Sequence, residues 1–386
     1  MSLYDAVKNA ENPYQAFQDA VNDLISANRF PLSAVFELSP VCNFKCPFCY
    51  ARVSPEELAA KGERVLRFAD WKRFIDEARA MGTFKLTLTG GECMLHPDFC
   101  EIYRYAYEQG CELTLMTNGS CVTPEILSMF RDCPPEGVYL TLYGSSPETY
   151  ETVCGSAAFY DRVLQNVHAL KALGLQVVLQ YTADRDNVAE LENIYTLSKS
   201  LGLQLRYTVA EQSFRRCTPE MLEEFAPERD LLHDAARAIY LDRSGLTQEA
   251  YNAQADEPVQ FAKVPVVEKG MPCGAGRNSF CINYRGEMLP CVVFDAVSVK
   301  TDGRSLSDCW KELVRGCDEV PRLVECTNCI HRMHCRSCIA QHYNACHQFG
   351  VPAPRLCWKH LHPERAAEIQ KFYDEHGYLR RKDVVI

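Results

Sequence analysis

Three cysteines fall within eight residues, at Cys42, Cys46 and Cys49, in the stretch CNFKCPFCY. Thiols this close together suit metal binding. An iron–sulfur cluster normally takes four cysteines. A loop that supplies three leaves one iron without a protein ligand, and that iron is open to a small molecule. The competing reading is a fragment of a zinc site with its fourth ligand elsewhere. Zinc sites, however, usually set C-x2-C pairs across longer gaps.

A second set of cysteines lies in the C-terminal third. CGAGRNSFCINYRGEMLPC runs from Cys273 through Cys281 to Cys291, CTNCIHRMHCRSC holds Cys326, Cys329, Cys335 and Cys338, and Cys357 follows after 18 further residues. The five-residue gap inside the second stretch is short for one zinc site, where about 12–20 residues usually separate the pairs. Closely spaced cysteines in two-cluster ferredoxins divide between two clusters, and a similar division suits this pattern. His331, His334, His342 and His347 are ligands only on the zinc reading.

The chain has 386 residues and 21 cysteines, an odd count, with no basic-then-apolar start. A disulfide framework belongs to small secreted chains, so a reducing cytoplasm in which thiolates hold metal is the expectation. Hydrophobic residues make up 47% and charged residues 24%, as in a globular protein. No apolar run reaches the length of a membrane span. The formal net charge of −10 argues against nucleic acid as a partner.

Alternating strands and helices must position the first thiol loop. SAVFELS (33–39), FKLTLTG (84–90), CELTLMTNG (111–119), GVYLTLYG (137–144), LQVVLQYTA (175–183) and LQLRYTVA (203–210) read as strands. Helical periodicity fills the gaps, with stop glycines at Gly82, Gly174 and Gly202 and Thr-Pro-Glu starts at Thr123 and Thr218. Six βα units imply a parallel α/β sheet. A full eight-stranded barrel takes about 250 residues, so some 180 residues imply a partial (β/α)6 TIM-like barrel. Ligands lie at the C-terminal strand ends in such folds. The thiol loop, TGGE and TNG all fall there.

At this point the chain resembles a known family. CNFKCPFCY matches the C-x3-C-x-aromatic-C loop of the radical S-adenosylmethionine (radical SAM) superfamily, and TLTGGECMLHPDF resembles its Gly-Gly-Glu motif. The resemblance implies that Cys42, Cys46 and Cys49 hold a 4Fe–4S cluster whose open iron takes S-adenosyl-L-methionine. Gly90, Gly91 and Glu92 would meet its methionyl group, Thr141 and Asn187 would lie near the ribose, and Phe48 would cover the cluster. Thr141 and Asn187 equally suit a plain strand residue and a helix cap. Cys93 replaces the family's usual proline, either as a thiol at the mouth of the site or as a neutral change. No arginine follows strand four to take the carboxylate.

The C-terminal stretch resembles the SPASM extension, which usually carries two auxiliary 4Fe–4S clusters; here one or two are expected. The resemblance assigns Cys326, Cys329, Cys335 and Cys357 to an outer cluster and Cys273, Cys291 and Cys338 to an inner one. The last gap of the central motif is one residue shorter than in the family. Cys281 either completes the inner set or is an incidental thiol. On the hairpin turning at Arg285-Gly286, Cys281 and Asn283 share one face, opposite Phe280, Ile282 and Tyr284. Val292 stands where formylglycine-forming relatives carry a basic aspartate, and Asp295 comes three residues later, so that activity is not expected.

The expected organisation is an N-terminal helical segment (1–32), the radical SAM core (33–211), a bridging helical segment and substrate-side lid (212–264), the cysteine-rich SPASM domain (265–360) and a tail (361–386). The resemblance favours hydrogen abstraction from a peptide or protein side chain. A dehydrogenase or mutase acting on a small metabolite is the alternative, and an electron carrier or zinc scaffold the remote one. A reductant such as flavodoxin or ferredoxin is implied.

Overall fold

The computed structural model describes residues 12–210, 215, 218–332, 335 and 338–383, without the side chains of 219 and 222. Cys217 and His334 lie outside the described residues, as do residues 1–11 of the N-terminal segment.

Six strands alternate with helices as the sequence predicts: β1 (Ser33–Ser39), β2 (Lys85–Gly90), β3 (Glu112–Thr117), β4 (Gly137–Thr141), β5 (Val177–Ala183) and β6 (Gln204–Val209). Each neighbouring pair is parallel. The starts of the covering helices follow local chemistry. Thr123 Oγ1 accepts from Ile126 N at 3.3 Å, with Pro124 in the first turn, and Ser146 caps the helix Pro147–Cys154 in the same way.

Alternation sorts the strand residues between two faces. Phe36 packs its ring on Trp71 and Phe74 of the helix Phe68–Ala80, so Ala34, Phe36 and Leu38 form the helix-facing side of β1. Glu37 and Ser39 face the opposite, inner side. The register carries this pattern across the sheet, setting Thr87 beside Thr114, Met116 beside Tyr139, and Thr141 beside Gln180, which meets Arg206. The inner face is therefore rich in polar groups, while the outer face supplies the core.

The C-terminal region does not stand apart from this sheet. The strand Ser279–Ile282 pairs in parallel with β1, Val35 opposite Cys281, and folds back antiparallel onto Glu287–Leu289. Together with Val299–Lys300 these make one nine-stranded sheet. The bridging segment carries the expected helix, Arg229–Ser244. It also holds a short helix, Gln248–Ala253, and Pro258–Val259 paired with Leu379–Arg380. Those two-residue strands are too short for a periodic signal. No helix among the described residues is long and apolar enough to cross a membrane.

Candidate active site and metal centres

The loop that carries Cys42, Cys46 and Cys49 leaves the C-terminal end of β1 and is clamped at once. Gly91 N donates to Ser39 O at 2.7 Å and Glu92 N to Val41 O at 2.9 Å. The approach is too close for a side chain. A Cβ on Gly91 would lie 2.6 Å from both Pro40 O and Val41 O, and one on Gly90, at φ +149°, would lie 2.2 Å from Ser39 O. The two glycines thus lock β2 against the root of the thiol loop.

Glu92 works inward. Its carboxylate is fully buried and accepts from Thr117 Oγ1 (2.8 and 2.9 Å), Asn118 N (2.7 Å) and Met94 N (3.0 Å). Burial raises its pKa and these donors oppose the shift. It ties β2 to the end of β3. From there Asn118 Nδ2 donates to Asn43 Oδ1 at 3.0 Å and towards Cys42 Sγ at 3.5 Å. Asn43 Nδ2 donates to Ser120 Oγ at 2.8 Å. Cys93 is fully buried, with its sulfur near Glu92 and Met116 O, so it is not a thiol at the mouth of the site.

The far side of the loop is anchored by aromatics. Phe44 is buried against Tyr143, Tyr150 and Phe159. Phe48 packs on Tyr143 and Phe225. Lys45 N donates to Cys154 O at 2.9 Å, and the Cys154 thiol hydrogen-bonds Cys46 and holds its pKa down. Cys42 is pushed up to about 12, first by burial, with Glu92, Cys49 and Cys46 adding to it. The donor set is all sulfur, and Phe44 N (3.4 Å) and Asn118 Nδ2 point at Cys42. Such N–H groups favour a thiolate ligand, so these residues fit an iron–sulfur cluster.

Thr141 sits half-buried at the end of β4. Asn187 is buried and spends its amide hydrogens on Tyr143 O (3.1 Å) and Thr182 O (3.0 Å), while its oxygen accepts from Asp184 N (2.8 Å). It braces the ends of β4 and β5. Beside it Asp184 is buried, and desolvation raises its pKa to about 6. Asn43, Phe44, Asn118, Cys154 and Asp184 were not singled out from the sequence. Only the TNG at the end of a strand carried a signal, because the other partners come from distant units.

The outer cysteines converge. Cys326, Cys329, Cys335 and Cys357 line one small cavity with His331 and His342. Trp358 N donates to Cys335 Sγ at 3.2 Å. His331 stacks on Trp358, and His342 Nδ1 accepts from Ala353 N at 2.8 Å while burial pulls its pKa down to about 4. His347 closes the helix Ile339–Cys346 in a left-handed conformation. Four thiols around a cavity suit a cube-shaped cluster.

The inner group is looser. Cys291 is pushed up to about 12 by burial, with Cys338 and Cys273 as neighbouring thiols. Cys281 is fully buried on the inner face, near Glu37, Arg215 and Cys291. The predicted pairing of Cys281 with Asn283 on one face and Phe280 on the other is seen, with Phe280 against Trp310. Cys317 lies close to this group, its sulfur 2.3 Å from where a Cβ on Gly276 would be.

Residues 36–197 match the model of the radical SAM superfamily. The chain is 27% identical to the PqqA peptide cyclase of Ruegeria pomeroyi, over 80% of this chain and 79% of that one. It is 24% identical to the AdoMet-dependent heme synthase of Methanosarcina barkeri, over 83% and 95% of the two chains. Its fold is similar to that of Streptococcus suis SuiB bound to precursor peptide SuiA, with a TM-score of 0.56, 18% identity and coverage of 80% and 72%. With the three-thiol loop, the Gly-Gly clamp and the six parallel strands in place, residues 36–197 are a radical SAM domain, and the chain is an enzyme of that type with a cysteine-rich C-terminal extension.

Proposed function

We propose that this enzyme abstracts hydrogen from a side chain of a peptide or protein, as a step in peptide maturation. The observation that carries the chemistry is the clamp of Gly91 and Glu92 on Ser39 and Val41, which fixes Gly-Gly-Glu against the three-thiol loop. The peptide substrate is supported by the likeness to a peptide cyclase and by the fold shared with a precursor-peptide complex. The heme synthase likeness supports the second reading, a small-molecule substrate.

In this reading Cys42, Cys46 and Cys49 hold the catalytic 4Fe–4S cluster. When bound, that cluster supplies the electron that splits the sulfonium of S-adenosyl-L-methionine to yield a 5′-deoxyadenosyl radical. Gly90, Gly91 and Glu92 set the depth of the loop above the strands. Thr141 offers a hydroxyl from β4, and Asn187 holds the ends of β4 and β5 together beneath it. Phe44, Phe48 and Tyr143 keep water from one flank of the loop. Cys326, Cys329, Cys335 and Cys357 hold an outer auxiliary cluster, and Cys273, Cys281, Cys291 and Cys338 an inner one. A flavodoxin or ferredoxin in a reducing cytoplasm supplies the electrons.

The test is anaerobic reconstitution followed by assay of 5′-deoxyadenosine. Wild type should form it on reduction, and Cys42→Ala/Cys46→Ala/Cys49→Ala should form none while keeping its auxiliary iron. Mass spectrometry of candidate peptides encoded nearby should show a mass change. Normal cleavage by the triple variant would overturn the cluster assignment. Conversion of a small metabolite, with every peptide unchanged, would overturn the peptide reading.

A further inference from the structure

A cavity lies on the side of the thiol loop that faces the C-terminal hairpin. Glu37, Ser39 and Pro40 of the β1 end line it, with Tyr50 just past Cys49 and Gly90. Arg215 lines it from beyond β6, and Asn283, Tyr284, Arg285 and Asp295 from the C-terminal region. Its volume, about 100 Å³, suits a small functional group. Thr141, Asn187 and the three loop cysteines do not line it. Only Gly90 is shared with the residues assigned above to S-adenosylmethionine, so the cavity adjoins that face from the side of the C-terminal hairpin.

The floor of the cavity is a buried ion pair. Arg215 Nη2 donates to Glu37 Oε1 at 2.5 Å, and the two side chains are only 9% and 5% exposed. Burying two charges is costly unless their remaining donors and acceptors are also met. Here they are not. The Nε–H of Arg215 is buried with no hydrogen-bond partner, and the single contact leaves Glu37 Oε2 outside the pair. The rim repeats the pattern, with Arg285 held by Glu287 at 2.6 Å and the exposed Asp295 beside it. Donor and acceptor stand side by side at both levels. A bare anion would meet Glu37 and Asp295, and a bare cation would meet Arg215 and Arg285. A neutral group that carries both an acceptor and a donor satisfies each.

We infer that this cavity binds one amide group of the substrate, its carbonyl accepting from Arg215 and its N–H donating to Glu37. That the amide belongs to a peptide rests on the function proposed above; the binding of an amide does not. An amide held here lies between the thiol loop and the inner cysteines, and Arg215 and Glu37 then act as specificity-determining residues.

The probe is fluorine NMR of the anaerobic holoenzyme, with trifluoroacetamide for an Asn or Gln side chain and N-methyltrifluoroacetamide for a backbone amide. Trifluoroacetate is the anionic control. At millimolar concentration one of the two amides should broaden and be displaced by excess unlabelled acetamide or N-methylacetamide, while trifluoroacetate should not. The amide that broadens more identifies the source. Arg215→Met strands the Glu37 charge and risks the fold. Glu37→Leu/Arg215→Met removes both charges together, and it should retain its iron and its thermal transition but lose at least fivefold in amide broadening. Equal broadening in wild type and the double variant would overturn the inference, as would preference for trifluoroacetate or no broadening by either amide. Failure here leaves peptide conversion standing, and failure of peptide conversion leaves amide binding standing.

Discussion

The thiol loop of the barrel and the outer cysteine cavity arrange the same side chain in opposite ways. Around the cavity, four cysteines from two stretches of chain close on one space, and a backbone N–H from Trp358 meets one of them. In the barrel, three cysteines share one loop, and the effort goes into holding that loop. Gly90 and Gly91 lock its root, Asn118 aims an amide at Cys42, and Phe44 plugs its far side. A closed set of ligands makes a site that stores or passes electrons. An open set makes one that must also position a second molecule, so its precision lies in the surrounding backbone.

The largest effect expected from this contrast comes from a residue with no side chain. Gly91→Ala places a methyl 2.6 Å from two carbonyl oxygens of the loop root. Overpacking of that kind costs about 1–3 kcal/mol, and here it is spent in displacing the loop. Formation of 5′-deoxyadenosine should fall roughly tenfold or more, while auxiliary iron, counted by chelation, stays. An unchanged rate would mean that the clamp does not set the loop.

A smaller effect decides which type the inner site is. If Cys281 closes it, Cys281→Ala should convert or empty one auxiliary cluster in Mössbauer spectra. The open cluster should still cleave S-adenosylmethionine. An unchanged inner cluster would make Cys281 a packing residue of the hairpin and leave that site open like the barrel loop.

The smallest effect tests the outer support of the clamp. Asp98, six residues after Glu92, accepts from Arg67 Nε and Nη2, both at 2.7 Å, and from Phe68 N at 2.9 Å. The Arg67 hydrogen bonds come first among the causes that lower its pKa to about 2. A lowered carboxylate pKa adds stability that is present above the unfolded value, near 3.9. That stability is lost as pH falls towards 2. Arg67 is 61% exposed, so screening leaves only about 0.5–1 kcal/mol. Asp98→Asn should lose that much in urea unfolding of the apo-protein at pH 7, and the deficit should shrink as pH falls from about 4 to about 2. A pH-independent deficit would assign the effect to lost packing instead.

Much of this was legible in the chain because it is local. β1 and its start at Ser33 follow from a short β-rich run, and the Thr123 cap from Thr-Pro-Glu. The close approach behind Gly-Gly was legible only as a motif, since the Ser39 carbonyl it accommodates lies about fifty residues away. Cys154 read as a small buried residue and Cys93 as either a thiol at the mouth of the site or a neutral change; both are buried. Nothing in their own neighbourhoods said that one would touch Cys46 and the other Glu92. What stayed hidden were long-range pairs. Glu37 looks like one charge in an apolar strand until Arg215, from beyond the sixth strand, is beside it. The joining of the C-terminal hairpin to β1 was hidden for the same reason.

That join also sets a clock for folding. β1 pairs with β2 on one edge and with Ser279–Ile282 on the other, and Ser33 is matched to Ser279. The second partner arrives 246 residues after the first strand residue, by difference of those two numbers. At about 5–20 residues per second, the strand that feeds the thiol loop leaves the ribosome roughly 12–50 seconds before that edge is covered. During that interval its backbone offers an unpaired edge of the kind that recruits other chains. A nascent chain arrested near residue 270 should therefore aggregate or hold chaperone, and one arrested far enough past residue 289 for the hairpin to emerge should be released.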